Sequence, residues 1–458
     1  MAAEKDIIVA LELATSSIRA IAGQRMPDGT MQVLAFAEEN ASSCIRKGII
    51  DNIDKTTQAI SRVLGHIGLQ LGQTISRVYV GLSGQSLHSV QNHIQRTFTE
   101  RTQITNALID QLMDTNHGVV YTDSQILEVV PQEYKVGNRT ETDIVGMQID
   151  QMEANFLNII ARNSLAENIE KCVKGANIEL AELLITPLTL GDTILNAAEK
   201  RSGCALADIG ADVTTVSIYT KNILRKLVVI PLGGNNVTMD IAKCHKIEVE
   251  EAESLKLKYG RAWLEDHDTA RNNIIKISNN REISESSLCE IIEARYEEIL
   301  RNIWVQIEDE SDKLTSGIVF TGGAAQIRFI TDAFTNINNC NKQIRIAKGL
   351  PSDISASTGV SIPDNGRSNS ILALLLHGDQ NCTANNTIKA DEDETDTDSS
   401  EQDNHTDSTV VSDNGIATGD TDNGKDNNNE DETENTGQKK TRSNFWTFIK
   451  KALTDEEE

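Results

Sequence analysis

The sequence predicts an α/β protein built from two related halves. Short apolar runs suited to buried strands alternate with amphipathic helices through residues 1–378, and one succession of elements occurs twice. That succession is strand, tight turn, strand, strand and helix, which indicates a duplicated fold. The predicted elements are strands at 7–13, 18–22, 31–37 and 77–82 with a helix at 53–71, and then strands at 204–209, 213–219, 224–231 and 317–320 with a helix at 236–244.

Composition narrows the class of protein. The 458 residues carry 43 Lys and Arg against 69 Asp and Glu, a net charge of −26. A nucleic-acid binder needs basic surface to replace the counterions of phosphates, so no nucleic-acid partner is expected. The 7 cysteines are scattered without a CxxC spacing, as expected for reduced thiols in a cytosol. Acidic residues within the first 14 positions argue against a signal peptide, and no run is long enough to span a membrane.

An acidic segment follows the α/β part. Residues 379–438 contain 18 Asp and Glu, two lysines, ten asparagines and no aromatic residue. Such a segment cannot bury enough apolar surface to offset the entropy lost on folding. We therefore predict a disordered acidic linker.

The last residues reverse this character. Residues 439–451 hold five basic residues and no acidic one, and the apolar side chains from 445 to 453 share one face of a helix. An aromatic face bordered by cations is typical of a helix lying on an anionic membrane. The alternative is a helix that docks on this protein or on a partner. The residues predicted to meet the membrane are Lys439, Lys440, Arg442, Phe445, Trp446, Phe448, Ile449, Lys450, Lys451 and Leu453.

Three turns of small residues follow predicted strands and are candidates for holding phosphate. They lie at 12–17, 208–215 and 320–325. Glycines in such turns let backbone amides approach a nucleotide, and a helix start favours negative charge. One such turn is weak evidence, but three in this order, each just after a strand, are strong evidence for a site that holds the phosphates of a nucleotide.

These turns resemble the phosphate and adenosine motifs of the actin-like ATPase superfamily and, within it, the FtsA family of bacterial cell-division proteins. The resemblance extends over about 7–378 and includes stretches that other members of the superfamily lack. It implies a duplicated actin-like (ribonuclease H-like) fold. The matching motifs are 10–16 (ALELATS), 208–210 (DIG), 317–327 (GIVFTGGAAQI), 80–84 (VGLSG), 130–134 (VPQEY) and 229–235 (VIPLGGN).

The resemblance also implies a subdomain plan, in which subdomain 1C replaces the 1B subdomain of actin. Subdomain 2B is the expected docking surface for a partner. The implied boundaries are 1A at 1–82 and 163–200, 1C at 83–162, 2A at 201–242, 2B at 243–309, 2A with the return to 1A at 310–378, the linker at 379–438 and the membrane helix at 439–458.

The sequence departs from the superfamily where chemistry would occur. Ala14 replaces the glycine of the first motif, and Ala211 and Asp212 replace two glycines of the second. Asp212 would bring a carboxylate near phosphates unless Mg²⁺ offsets its charge. Thr186 stands where many relatives have a water-orienting Glu, and it cannot accept a proton at neutral pH. We expect ATP to be bound as a switch and hydrolysed slowly or not at all, with no catalytic residue assigned.

The resemblance assigns a nucleotide site that would hold ATP with Mg²⁺. Asp208 would sit near the Mg²⁺, through water. For Glu253 and Lys256 the alternative is a solvated pair on a helix surface. The implied nucleotide-binding residues are Glu12, Ala14, Thr15, Ser16, Asp208, Gly210, Thr214, Glu253, Lys256, Gly322, Gly323 and Ala325.

The resemblance further implies partners at the division site. Arg295 matches a position that contacts the acidic C-terminal peptide of FtsZ, the tubulin-like ring protein. The alternative is a pair between Arg295 and Glu298 or Ile299 on a solvated face. Self-association into filaments, anionic lipid at the cytoplasmic face of the inner membrane, and later division proteins on 1C complete the expected partners.

Three other readings remain open from the sequence. A kinase of the same fold would need a carboxylate base, and a chaperone ATPase would be followed by a β-rich domain. A shape-determining or pilus-assembly actin homologue is the most serious alternative. The 1C-like insert and the linker with its terminal helix favour cell division.

Overall fold

The structure, a computed structural model, describes residues 6–264, 273–348, 353–363 and 365–387. These residues belong to one compact unit. The predicted membrane helix at 439–458 and the predicted linker beyond residue 387 lie outside the described residues. None of the helices in the described ranges combines the length and apolar content needed to cross a membrane.

Strands and helices alternate along the described chain, and each strand and helix listed from the sequence occurs with ends within three residues of the expected ones. The strands are β1 (Ile7–Leu13), β2 (Ser17–Arg25), β3 (Met31–Asn40), β4 (Ile45–Arg46), β5 (Ile49–Ile50), β6 (Gln73–Ile75), β7 (Arg77–Leu82), β8 (His88–Gln103), β9 (Ser124–Val136), β10 (Arg139–Glu141), β11 (Gln148–Arg162), β12 (Glu179–Ile185), β13 (Cys204–Ile209), β14 (Thr214–Thr220), β15 (Ile223–Ile230), β16 (Ile274–Ile277), β17 (Arg281–Ser284), β18 (Ile318–Thr321), β19 (Ile344–Ile346), β20 (Ile354–Ala356) and β21 (Thr383–Thr387). The α-helices are α1 (Ile53–Leu71), α2 (Asn106–His117), α3 (Asn163–Gly175), α4 (Thr186–Ile194), α5 (Ala197–Ser202), α6 (Gly234–His245), α7 (Val249–Tyr259), α8 (Glu285–Ile307), α9 (Ile330–Asn338) and α10 (Asn369–His377).

Helix α1 shows how local sequence sets an element. Asn52 caps its start, because the side chain accepts a hydrogen bond from the Lys55 amide. Gly72 ends it in the left-handed conformation, with φ of 66°. Between these caps the apolar side chains recur at helical spacing, and Ile60, Val63 and Ile67 are buried against the sheet of the first half.

The two halves have equivalent sheets. In the first, β1, β2 and β3 form an antiparallel meander, and β7 and then β12 continue in parallel beyond β1. In the second, β13, β14 and β15 repeat the meander, and β18 and β19 continue in parallel beyond β13. The duplication expected from the sequence is therefore confirmed.

Between β7 and α3 the chain builds a separate layer from β8 to β11. The order β10-β9-β11-β8 is antiparallel throughout, and α2 lies against it. A second apolar cluster, which includes Leu112, Tyr134 and Phe156, fills the space beneath α2. The sheet of this insert joins the sheet of the second half through one bridge between His88 and Val228.

The first residues of the predicted acidic linker, 379–387, are attached to the first half. The expectation of disorder from residue 379 onward is wrong for these residues. Strand β21 pairs antiparallel with β6, and the buried Cys382 accepts a backbone hydrogen bond from Ser76 at 2.9 Å. Asp379 accepts a hydrogen bond from the Tyr79 hydroxyl at 2.7 Å. The composition of residues 379–438 does not predict this pairing, because it depends on the open edge of β6. That edge supplies backbone hydrogen-bond partners that the segment does not have by itself.

Candidate functional site

The first turn positions Glu12 at the end of β1. The Ala14 amide donates to the Ser17 carbonyl at 3.1 Å and closes the hairpin between β1 and β2. Arg19 lies 3.4 Å from Glu12 Oε2 and holds the carboxylate in place, while that oxygen is buried and makes no hydrogen bond in the described part of the chain. A buried carboxylate oxygen without a donor fits a position that faces a cation or an ordered water.

The second turn is fixed by the start of α6. The Gly210 amide closes the turn on the Val213 carbonyl at 2.9 Å, so this amide is occupied. The Gly234 amide donates to the Gly210 carbonyl at 3.0 Å. A Cβ at Gly233 would lie 2.5 Å from the Ala211 carbonyl oxygen, so glycine is required for this close approach. The turn and the helix start therefore form one rigid piece.

The third turn meets the second through Gly322. Asp208 and Thr321 are paired in the parallel ladder of β13 and β18, which places their strand ends side by side. Gly322 has φ of +91°, and a Cβ there would overlap Asp208 Oδ1 and lie 2.5 Å from the Ile209 carbonyl oxygen. Gly323 is open beside Arg367, and Ala325 is fully buried. The second and third turns thus converge at Asp208.

The negative charge of Glu12 acts on the carboxyl group of Asp208. Burial and, to a smaller extent, the negative charge of Glu12 raise the pKa of Asp208 to about 7, against the opposing charge of Arg19. Burial also raises the pKa of Glu12, again against Arg19. Two carboxyl groups held together in a poorly solvated place disfavour two negative charges, and a cation between them would relieve this.

The hydroxyl groups predicted to contact phosphate differ in their surroundings. Thr15 Oγ1 accepts a hydrogen bond from the Gly48 amide at 3.1 Å, and Ser16 beside it is partly exposed. Thr214 is fully buried, and its hydroxyl donates to the Leu232 carbonyl at 2.8 Å. The structure therefore brings Thr15 and Ser16 to the first turn and directs the Thr214 hydroxyl into the meander of the second half.

Lys256 ties α7 to α6 instead of pointing into solvent. Its ammonium donates to the Gly234 carbonyl at 3.0 Å and to Thr238 Oγ1 at 2.8 Å, and it pairs with Glu253 at 2.7 Å. Burial lowers the pKa of Lys256. The alternative of a fully solvated pair is wrong for Lys256, because tertiary packing of α7 on α6 covers the lysine while Glu253 stays partly exposed.

Asp212 makes contacts that sequence reasoning missed. Its Oδ2 accepts from the Lys47 amide at 3.0 Å, and its Oδ1 accepts from Asn235 Nδ2 at 2.7 Å. Lys47 and Gly48 form the tight turn between β4 and β5, with φ of 50° and 70°. The Lys-Gly pair was the available signal for this turn. A cavity of about 370 Å³ adjoins it, lined by Arg46, Lys47, Ile49, Asp51, Gln85 and Asp212.

Thr186 and Arg295 are both engaged in packing. Thr186 is buried at the start of α4, where a Cβ at Gly81 would lie 2.6 Å from its hydroxyl. Arg295 on α8 binds Asp240 of α6 at 2.6 and 3.1 Å and also pairs with Glu298. The side chain of Arg295 is 13% exposed, so the pair with Glu298 forms as the alternative expected, although its face is not solvated.

The residues predicted to bind a membrane, Lys439 to Leu453, lie outside the described residues. Within the described ranges, no group of three His, Cys, Asp or Glu side chains is close enough to hold a metal ion. A cation at Glu12 and Asp208 would therefore complete its coordination with water or ligand oxygens.

Two equivalent sheets, each an antiparallel meander continued by two parallel strands, define a protein of the actin-like class. A chain of the PilM-PilN type IV pilus biogenesis complex has this fold, with a TM-score of 0.57 and 14% identity over 81% of this chain and 97% of that chain. The model of the family "Cell division protein FtsA" matches residues 205–363, and that of the "SHS2 domain inserted in FTSA" matches 84–160.

Curated relatives carry the same description. The cell division protein FtsA of Pseudomonas aeruginosa is 28% identical over 328 residues, 70% of this chain and 78% of that protein. Its counterpart in Escherichia coli K12 is 28% identical over 373 residues, 78% of this chain and 87% of that protein. The chain belongs to the FtsA family of cell-division proteins.

Proposed function

We propose that this chain binds ATP with Mg²⁺ between its halves, assembles into filaments at the cytoplasmic face of the inner membrane and anchors the FtsZ ring there. The predicted helix at 439–458 holds it to anionic lipid. Subdomain 2B receives the FtsZ C-terminal peptide, and subdomain 1C recruits later division proteins. Membership of the FtsA family supports this assignment over a pilus or shape-determining role.

The observation that carries nucleotide binding is that the second and third turns converge at Asp208, where the negative charge of Glu12 from the first turn also acts. Glu12 and Asp208 supply carboxylate oxygens from opposite halves, and Glu12 Oε2 lacks a hydrogen-bond donor among the described residues. Oxygen ligands of this kind suit Mg²⁺, which keeps several waters and bridges protein carboxylates to phosphates. When bound, Mg²⁺ neutralises charge on the phosphates and on both carboxylates.

The protein groups around this point then have separate tasks. Arg19 orients Glu12, and Gly322 lets the third turn approach Asp208. Lys256 fixes α7 against the start of α6 and pairs with Glu253, which would meet the nucleotide from α7. Thr186 packs against β7 and cannot act as a general base, which favours slow or absent hydrolysis and a switching role for ATP.

Filament formation and membrane attachment reinforce each other in this scheme. A single short interfacial helix binds lipid weakly and reversibly. A filament presents one such helix per subunit, and the effective concentration of the second helix raises the overall affinity. The acidic linker is repelled by anionic lipid and keeps the folded part off the surface.

Binding of the acidic FtsZ peptide on α8 involves exchange of partners. Arg295 is held by Asp240 on one side and by the more exposed Glu298 on the other. A peptide carboxylate would replace Glu298 while Asp240 keeps the guanidinium in place. Glu298→Ala is therefore expected to tighten FtsZ-peptide binding in fluorescence anisotropy, whereas Glu297→Ala on the same helix should not. Equal affinities of the two variants for the FtsZ peptide would show that Arg295 is not part of the peptide site.

Liposome co-sedimentation tests the whole proposal. The full chain and a version ending at Gln438 are compared on anionic liposomes with ATP, ADP or no nucleotide, with electron microscopy of the pellets. Lys389→Ala with Lys425→Ala serves as the control, because it removes basic residues outside the helix. We expect only chains with residues 439–458 to pellet, and ATP to increase filaments. If both lengths stay in the supernatant in every condition, the terminal helix serves a protein partner instead.

A further inference from the structure

The insert, which comprises β8 to β11 and α2, is connected through the chain to the first half of the molecule. Its strongest polar contacts are with the second half. The chain leaves the first-half sheet after β7 and returns at α3. Near this root the Gln85 amide donates to the Lys47 carbonyl of the first half at 3.1 Å. Further out, the insert meets β15, which belongs to the meander of the second half.

An ion pair forms the centre of this contact. Arg225 of β15 binds Glu133 of β9 in a bidentate manner, with Nη1 to Oε2 at 2.5 Å and Nη2 to Oε1 at 2.6 Å. Each side chain is only 16% exposed, and the hydrogen bonds from Arg225 lower the pKa of Glu133. Paired charges in such a place are strongly held, because separating them leaves a poorly solvated charge without a partner.

Neighbouring hydrogen bonds extend the contact in both directions. Gln132 accepts from Arg225 Nη1 at 3.0 Å and donates from Nε2 to the Leu224 carbonyl at 2.9 Å. The Leu227 amide donates to Ser89 Oγ at 2.8 Å, and that hydroxyl donates back to the Leu227 carbonyl at 3.2 Å. Together with the bridge between His88 and Val228, two strands of the insert are joined to β15.

We propose that Glu133, Gln132 and Arg225 act as a strap that makes the insert move with the second half of the molecule. Rotation of the halves about the cleft then swings the insert relative to the first half, where its chain is rooted. Occupancy of the cleft is thereby transmitted to the outer surface of the insert. This last step rests on the proposed nucleotide binding, whereas the strap itself does not.

Distances between spin labels test the strap without nucleotide. Labels at Thr99 on the insert, Lys55 on the first half and Asp312 on the second half are introduced pairwise as cysteines in a Cys244→Ser background, since these positions are exposed. We expect one narrow distance distribution between 99 and 312. Glu133→Gln and Arg225→Met should each at least double its width and leave the distribution between 55 and 312 unchanged.

Glu179→Gln is the matched control, because Glu179 pairs with Arg77 inside the first half. It should leave all three distributions unchanged. If the distribution between 99 and 312 keeps its wild-type width in both strap variants, the strap does not hold the insert and the proposal is overturned.

Adding ATP with Mg²⁺ to the labelled full chain tests transmission. A shift between 55 and 312 should be accompanied by a shift between 55 and 99, with none between 99 and 312. If the halves move and the insert stays with the first half, the proposal is again overturned. Calorimetric titration of the same samples shows whether ATP is bound at all. If ATP does not bind, the transmission step fails, but the distances measured without nucleotide still test the strap.

Discussion

Asp212 Oδ2 accepts a hydrogen bond from the Lys47 amide at 3.0 Å and so joins the second turn, 208–215, to the first half of the molecule. The same carboxylate binds Asn235 at the start of α6. Both oxygens of Asp212 are therefore occupied by donors. The residue that departs from the superfamily pattern at this turn acts as a contact across the cleft.

Removing this contact should weaken the folded state. Asp212→Ala is expected to lower the free energy of unfolding by about 1–3 kcal/mol, since hydrogen bonds to a charged group are lost. Asp212→Asn keeps an acceptor for the Lys47 amide and removes a negative charge, so ATP should bind severalfold more tightly in a calorimetric titration.

Asp51→Ala is the control for Asp212, because Asp51 lines the same cavity but is exposed and pairs only at 3.8 Å with Arg46. Its denaturant midpoint should match the wild type. Equal midpoints for Asp212→Ala and Asp51→Ala would mean that the contact with Lys47 contributes nothing.

Substitutions at Gly322 and Gly359 distinguish the effect of steric overlap on stability from the effect of backbone strain. Both have φ of +91°, but a Cβ at Gly322 meets Asp208 and Ile209, whereas nothing lies within 4 Å of one at Gly359. Gly359→Ala should cost about 1–2 kcal/mol of stability from strain alone. Gly322→Ala should cost more and abolish ATP binding, because the third turn moves away from Asp208. Similar losses in chemical denaturation, with ATP binding retained by both variants, would contradict this geometry.

The buried ammonium of Lys256 should matter for both stability and ligand binding. Lys256→Met removes the ammonium from the Gly234 carbonyl and from Glu253, so that the Thr238 hydroxyl can donate to only one of them, and is expected to cost about 2–4 kcal/mol. ATP affinity should fall at least tenfold because α6 and α7 lose their fixed spacing. Lys258→Ala changes an exposed lysine of the same helix and should do neither. Thermal unfolding and calorimetry measure both effects, and wild-type ATP affinity in Lys256→Met would count against the role given to this residue.

Protonation of His377 should stabilise the junction of α4, α5 and α10. His377 Nε2 lies 3.8 Å from Asp192, which also pairs with Lys200, and His377 Nδ1 contacts the Ala373 carbonyl at 2.8 Å. The adjacent carboxylate of Asp192 raises the pKa of His377. The stabilisation of the folded state by protonated His377 is therefore fully present below the pKa of about 6.5 that this residue has in the unfolded chain. It is lost as the pH rises through the higher pKa of His377 in the folded state.

His377→Gln should consequently lower the melting temperature more at pH 6 than at pH 8, with a difference in free energy below about 1 kcal/mol for this partly exposed pair. His66→Gln, on the exposed face of α1, is the control and should show no such pH dependence. An unchanged difference between wild type and His377→Gln over this range would rule out the charged pair.

Local pattern was enough to predict most of the fold. Short apolar runs that contain β-branched residues, such as 7–13, favour buried strands, and the caps Asn52 and Gly72 delimit α1 by backbone chemistry within a few residues. The three small-residue turns could be found for the same reason, because a turn after a strand depends on neighbours in sequence. Their order along the chain carried the family resemblance.

Contacts between distant segments could not be predicted in this way. Nothing near Glu133 in the sequence indicates that Arg225, 92 positions away, will bind it, and nothing near Asp212 points to Lys47, 165 positions away. The same applies to the covered ammonium of Lys256 and to the first strand of the linker, β21, on the edge of β6.

The sequence by itself determined the duplicated α/β plan, the positions of the three small-residue turns and the abrupt change of composition near residue 379, because these depend on side-chain pattern and backbone preference over short distances. Only the tertiary structure decided which polar groups remain available in the cleft and which half holds the insert. A charge or hydroxyl acquires its role from the partners that folding brings within hydrogen-bond range, and those partners come from remote parts of the chain.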